Sequence, residues 1–512
     1  MSLFQQTVGA RPKSNAFNLS HERKFSMKMG DLVPILCEEV IPGDRWRCNT
    51  EVLMRLAPML APIMHRVNVF THFFFVPNRL IWDDWEDFIT GGEDGTLEPV
   101  RPYKLLASAY DTFMGEGTLA DFLGFSTQTP TASVEINALP FRAYQTIYNE
   151  YYRDQNLEDK IDIETTSGAT LTSASALFSM RKRAWEKDYF TSALPWTQRG
   201  GDVNLPLSGT APVRTEPENG TIYEITGGGN PATGNVSLNA TNELTDSSAN
   251  EIEPTNLVAD VDAVTLGTIE ELRRATKLQQ WLERNARGGS RYIEQILVHF
   301  GVLSSDARLQ RPEFLGGGKT PIVISEVLQT SSTDTETPQG NMAGHALAVG
   351  NSHRFTKKFE EHGYIIGIMS VLPKTAYQQG TRKHLFKDDK FDYYWPEFSQ
   401  LGEQPILQGE LYDDWDNANR KGTFGYQSRY SEYKYIPSSV HGTFKSSQSF
   451  WHMGRIFQAA PQLNTAFIQA DTTEINERAF AAGDTEDQLW VQLYHNIKTI
   501  RPIPKINNPS LL

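Results

Sequence analysis

Cysteine is nearly missing from this chain. Among 512 residues there are two, Cys37 and Cys48. That excludes a disulfide scaffold of the secreted type, and two thiols without histidines at ligand spacing make no zinc site. Two reduced thiols in a reducing compartment are expected. No run of 18 apolar residues occurs, and the first residues lack the apolar stretch of a secretory signal. The expectation is a protein without membrane insertion, made and used in a cytoplasm or leaving it by cell lysis. Positive charge is also scarce. Lys and Arg number 48 against 62 Asp and Glu, a formal net charge of −14. A chain that neutralised a nucleic acid by itself would be basic, so any such contact must be local or use a basic partner.

Catalytic signatures are missing too. There is no Gly-x-Ser-x-Gly and no His-Glu-x-x-His. Gly316-Gly317-Gly318-Lys319-Thr320 imitates a phosphate loop, but Glu313 stands where that loop needs its first glycine and Pro321 opposes a following helix. Asp413-Asp414-Trp415-Asp416-Asn417 lacks the glycine and distal glutamate of a calcium loop and reads as a surface turn. His345, His353 and His362 follow no ligand pattern, and His72 reads as a packed core histidine. No catalytic, cofactor or metal residue is expected.

Aromatic residues, by contrast, are abundant: 10 Trp, 19 Tyr and 27 Phe. They suit a large core and subunit interfaces. Val33–Val40 and Val67–Val76 read as strands, the second apolar on both faces and therefore buried on both. Tyr364–Leu372 is a third, ended by Pro373. Phe424–Tyr435 and Val440–Phe457 are further strand candidates. Asn78 is placed to cap a short helix carrying Ile81, Trp85, Phe88 and Ile89 on one face. Residues 138–154 read as a helix. Thr268 and Glu271 form a capping box ahead of a helix whose buried stripe is Ile269, Leu272, Ala275, Leu278 and Leu282. Gly288-Gly289 breaks it, and a second helix carries Ile293, Ile296, Leu297 and Phe300. Strands at both ends with helices and loops between them predict one all-β sandwich with long insertions.

Three segments stand apart. Residues 1–28 carry Arg11, Lys13, Arg23, Lys24 and Lys28 against Glu22 alone and read as a basic arm. Residues 202–262 hold ten acids and one base, Arg214, with Tyr223 their single aromatic. They read as a solvent-facing insertion with a turn at Asn219-Gly220. Residues 500–512 are Pro-rich and read as an extended tail. Arg382 and Lys383 near Phe386, and Arg429 and Lys434 among tyrosines, are candidate contacts to single-stranded DNA, as are the bases of the arm. A solitary carbohydrate-binding or adhesion sandwich would explain the polar insertion and the aromatics, but not an arm and a tail that seek neighbours.

Several blocks, in order along nearly the whole chain, resemble one family. They include Phe17-Asn18-Leu19-Ser20-His21, Phe75-Val76-Pro77-Asn78-Arg79-Leu80, Ala193-Leu194-Pro195-Trp196 and Glu283-Arg284-Asn285-Ala286-Arg287-Gly288-Gly289. Arg311-Pro312-Glu313-Phe314-Leu315, Thr337-Pro338-Gln339-Gly340-Asn341, Tyr430-Ser431-Glu432-Tyr433-Lys434 and Arg501-Pro502-Ile503-Pro504 continue the series. Together they resemble the capsid proteins of the Microviridae, in the gokushovirus-like branch. The resemblance implies an eight-stranded antiparallel jelly roll spanning 1–512 as a single capsid domain, and a structural protein, not an enzyme. It implies pentamers, a sixty-copy T=1 virion shell built in the bacterial host's cytoplasm, and a circular single-stranded DNA genome inside. The implied partners are an internal scaffolding protein, a small basic DNA-binding protein and a host surface receptor. The receptor would meet the insertion around Asn219, Gly220, Tyr223 and Asn239.

Overall fold

The computed structural model describes residues 13–106, 113–128, 133–203, 268–328 and 342–506, with a few two- and three-residue strands between 207 and 266. Arg11 and the insertion residues Asn219, Gly220, Tyr223 and Asn239 lie outside the described residues. The chain forms two compact units, residues 1–197 with 288–512, and residues 198–287.

The larger unit is built on ten strands: β1 (Asn15–Asn18), β2 (His21–Met27), β3 (Val33–Val40), β4 (Arg45–Leu56), β5 (Val67–Pro77), β6 (Glu313–Pro321), β7 (Val323–Leu328), β8 (Met342–Lys358), β9 (Gly363–Pro373) and β10 (Leu489–Arg501). One sheet has the order β1-β10-β4-β8-β7, with β2 pairing further along β10. The other has the order β6-β5-β9-β3. All these pairings are antiparallel.

The main core fills the space between the sheets. Trp46, Val52 and Met54 of β4 and Val491, Leu493 and Ile497 of β10 meet Phe73 and Phe75 of β5 and Ile365, Met369 and Val371 of β9. A second core lies on the far side of the four-stranded sheet. There Phe74, Val76, Ile366 and Ile368 pack with Trp82 and with helices α2 (Leu119–Leu123) and α3 (Leu139–Ile147). The four-stranded sheet is thus covered on both faces, as the apolar runs of β5 and β9 predict.

Two histidines tie the sheets together. His495 on β10 donates its Nε2 proton to the Ile35 carbonyl on β3 (3.0 Å), so its Nδ1 accepts from the Thr50 hydroxyl (2.8 Å). His353 on β8 bonds Thr71 on β5 (2.5 Å) and Thr320 on β6 (2.8 Å). Both rings are fully buried.

The triple glycine lies in β6, against β5. A Cβ at Gly317 would sit 2.3 Å from the Thr71 carbonyl oxygen, and one at Gly318 would sit 2.4 Å from His353 Nδ1. These glycines serve close strand packing. The structure also corrects several expectations. The helix after β5 starts at Trp85 (Trp85–Thr90), while Asn78–Leu80 is a single 3-10 turn. Phe88 and Ile89 are exposed, because Trp82 already fills the core beneath, its ring 4.6 Å from that of Phe88. Val440–Phe457 forms turns instead of strands, around Gly442 and a serine-rich stretch. The strand at Thr423–Ser428 stops where Tyr430 turns left-handed (φ 61°).

In the smaller unit the capping box is present. The Thr268 amide donates to Glu271 (2.8 Å) and the Glu271 amide to Thr268 Oγ1 (3.2 Å). The helix runs Ile269–Gly288, but Ile269, Leu272 and Leu278 on its expected buried stripe are exposed. A capping box sets where a helix starts and says nothing about what covers its apolar face.

Candidate functional site

Most of the bases singled out from the sequence are already engaged. From Asn15 the basic arm is two strands on β10. Alternation then decides each side chain's fate. Arg23 points inward and donates to the Phe122 carbonyl. Lys28 pairs with Asp484 at 3.2 Å. Lys24, pointing out, pairs with Glu22 at 2.9 Å, and Lys13 is exposed.

The two C-terminal basic clusters do meet. Arg382, Lys383 and Lys387 share a cavity of about 350 Å³ with Tyr433, Tyr435, Glu410, Glu432 and His441. Its chemistry is largely self-neutralised. Lys383 pairs with the buried Glu410 (3.1 Å), which also accepts from Tyr189 (3.0 Å) and the Leu407 amide (2.8 Å). Burial raises the Glu410 pKa, and Lys383 opposes that rise. Lys387 is buried over the Tyr433 ring and pairs with Glu432 at 3.7 Å. Lys434 donates to the Arg429 carbonyl (3.4 Å), and Arg429 lies over Tyr430. Of this group Arg382 remains exposed without a partner among the described residues.

Among the described residues the two thiols and the buried carboxylates serve packing and internal bonding. Burial pushes Cys37 up to about 12 and Cys48 up to about 11, so both stay protonated and poorly nucleophilic. Asp188, the most heavily bonded buried carboxylate, accepts from the Phe190 and Thr191 amides and from the Thr191, Thr375 and Tyr377 hydroxyls. It braces a further apolar cluster that includes Tyr189, Phe190, Ile406 and Leu411. Asp413 pairs with Arg420 (2.9 Å) and Asp416 caps Asn417–Arg420, which accounts for two acids of the calcium-like turn. His72 is half-buried and bonded to the Tyr152 hydroxyl (2.7 Å), and its burial lowers the pKa to about 4.

Among the described residues the antiparallel sandwich thus holds most of the singled-out charges in internal pairs and hydrogen bonds. A family model described as capsid protein (F protein) matches residues 6–511. The chain belongs to this capsid-protein family. It is 39% identical to capsid protein VP1 of Bdellovibrio phage phiMH2K, over 99% of this chain and 97% of that one. It is 35% identical to capsid protein VP1 of Chlamydia phage 1 and 32% identical to that of Spiroplasma virus 4, each over 99% of this chain and 97% of the relative. These relatives are gokushoviruses of the Microviridae. The chain is therefore a structural protein of a virion and not an enzyme. No helix among the described residues is long and apolar enough to cross a membrane.

One surface of this capsid protein escaped the sequence reading. Strands β4 and β10 alternate strictly, β8 is bulged between Gly350 and His353, and Arg45, Arg47, Arg55, Arg354, Lys358 and Lys498 all fall on the solvent side of the six-stranded sheet. The signal was present as period-two alternation of bases with buried residues in Arg45–Leu56. It is diluted in composition because the three strands are hundreds of residues apart in sequence.

Proposed function

We propose that sixty copies of this chain close into a T=1 icosahedral shell around a circular single-stranded DNA phage genome, with pentamers as intermediates. The observation that carries this reading is the strand order combined with the family. Taking β1 and β2 as one strand, eight strands in chain order switch between two sheets at every step but the fourth to the fifth, giving the orders first-eighth-third-sixth and second-seventh-fourth-fifth. This order supports reading the sandwich as an eight-stranded jelly roll made of two Greek keys, an architecture used by viral capsids. β7 adds an edge strand beside the sixth. Rings and closed shells follow when heterologous contacts close under rotation.

An internal scaffolding protein would hold pentamers during assembly in the host bacterial cytoplasm. A small basic DNA-binding protein would supply the neutralising charge that a chain of net charge −14 lacks. The 202–262 insertion would meet the host surface receptor; deleting it should leave assembly intact and reduce adsorption to host cells. Arg11, Lys13, Lys24 and Arg382 retain their candidacy as DNA contacts.

Light scattering with electron imaging tests the reading. Five copies of the 57.7 kDa chain weigh about 290 kDa and sixty about 3,500 kDa. Species near those masses, as rings or round shells, are expected. A strict monomer, even with the scaffolding partner present, would overturn self-assembly.

A further inference from the structure

We propose that the solvent face of the six-stranded sheet is the shell's single-strand binding platform, with the phosphates held over Arg47, Arg354 and Lys498. The inference rests on the capsid reading for its partner, and on the sheet for its place.

The cross-strand register sets the charges side by side. Lys358 lies opposite Arg45, and Lys498 lies opposite Arg47. The next row is Arg354, Asn49 and Asn496. Side chains directly opposite on neighbouring strands stand about 5 Å apart, where like charges destabilise the sheet. Among the described residues Arg45, Arg47, Arg55, Arg354, Lys358 and Lys498 form no ion pair. The outward positions of β2, β4, β8 and β10 add Lys24, making seven bases, against two acids, Glu22 and Glu51. On a chain of net charge −14, such a face is a local reversal of sign that an anion must relieve.

Its shape and composition point to a nucleic acid strand. A cavity of about 280 Å³ opens among Arg47, Asn49, Asn351, Arg354, Thr356, Asn496 and Lys498. Three amides there can both donate to and accept from base edges, while three cations flank them. Further along β10 the same face presents Trp490, 49% exposed, and Tyr494, 38% exposed, as flat surfaces on which bases stack. Cations, amides and exposed aromatics on one rigid sheet are the elements of sequence-tolerant single-strand binding.

The test titrates the full-length chain into a fluorescein-labelled oligothymidylate of about twelve nucleotides and follows anisotropy at several salt concentrations. The expected result is binding that weakens steeply with salt. The triple variant R47Q/R354Q/K498Q should bind at least about tenfold more weakly at low salt. Its slope of log K against log salt should be shallower by about 2, at ~0.7 per lost phosphate contact. Charge-retaining R47K/R354K should keep the slope. Wild-type chain that fails to bind, a triple variant with unchanged affinity and slope, or an equal loss from R429Q/K434Q, whose bases lie off this sheet, would each overturn the platform. Shell formation, read separately by light scattering, reports on the capsid reading: a triple variant that still assembles while losing DNA separates the two.

Discussion

The two sheets of the sandwich have opposite surroundings. In the four-stranded sheet, β5 and β9 bury nearly every residue, because helices cover the face turned away from the other sheet. In the six-stranded sheet, β4 and β10 bury every second residue and leave the rest to solvent. The first sheet can therefore spend its side chains only on packing. The second has a free face, and that face carries unpaired cations. Stability and recognition are separated by sheet, and along β4 and β10 by single-residue alternation.

The largest effect should come from the doubly covered sheet. Phe73→Ala removes a ring that is fully buried and packed 5.1 Å from Phe355. It should cost about 3–5 kcal/mol in urea unfolding. Trp490→Ala, on the open face, should cost under about 1 kcal/mol. Equal losses would erase the contrast between the sheets.

The bridge between the sheets gives the next effect. Burial holds His495 at about 4, against an ordinary value near 6.5. Between those values the unfolded chain binds the proton and the folded chain does not. This stability is thus complete above about pH 6.5 and drains away as the pH falls toward 4, by up to about 2–3 kcal/mol. Asp31, raised to about 6 by burial, acts in the opposite sense and loses its contribution as the pH rises from about 4 to 6. His495→Gln should flatten the loss in urea midpoint between pH 7 and 4.5; an unchanged profile would assign acid sensitivity elsewhere.

Gly317→Ala should cost about 1–3 kcal/mol, because its Cβ would press on the Thr71 carbonyl and part β6 from β5. Thermal unfolding would reveal it. The smallest effect has the opposite sign. Arg47→Gln relieves the opposed charge of Lys498 and should leave the free chain unchanged or stabilised by a few tenths of a kcal/mol at low salt. A clear loss of stability would show that Arg47 is engaged within the fold and is not held for a ligand.

Legibility in the sequence follows the same division. β5 and β9 were readable because covering both faces demands continuous apolar runs, which no loop imitates. The capping box of Thr268 and Glu271 was readable because its partners are three residues apart. β4 and β10 were passed over: their alternation interleaves arginine, lysine and glutamate with the core, and so resembles polar chain in composition. The candidate bases were drawn from local clusters, and local clusters proved largely paired, Lys383 with Glu410 and Lys28 with Asp484.

By itself the sequence determined the β-rich class, the doubly buried strands, the helix start at Thr268 and, through blocks spread along the chain, the family. These depend on residue type and short spacing, which the chain carries in one dimension. Only the tertiary structure decided which cations are free. Whether a lysine is a ligand-binding charge or half of an internal pair depends on what lies opposite it. On β4, β8 and β10 the opposite residue comes from a strand as much as four hundred and fifty positions away, brought there by antiparallel register.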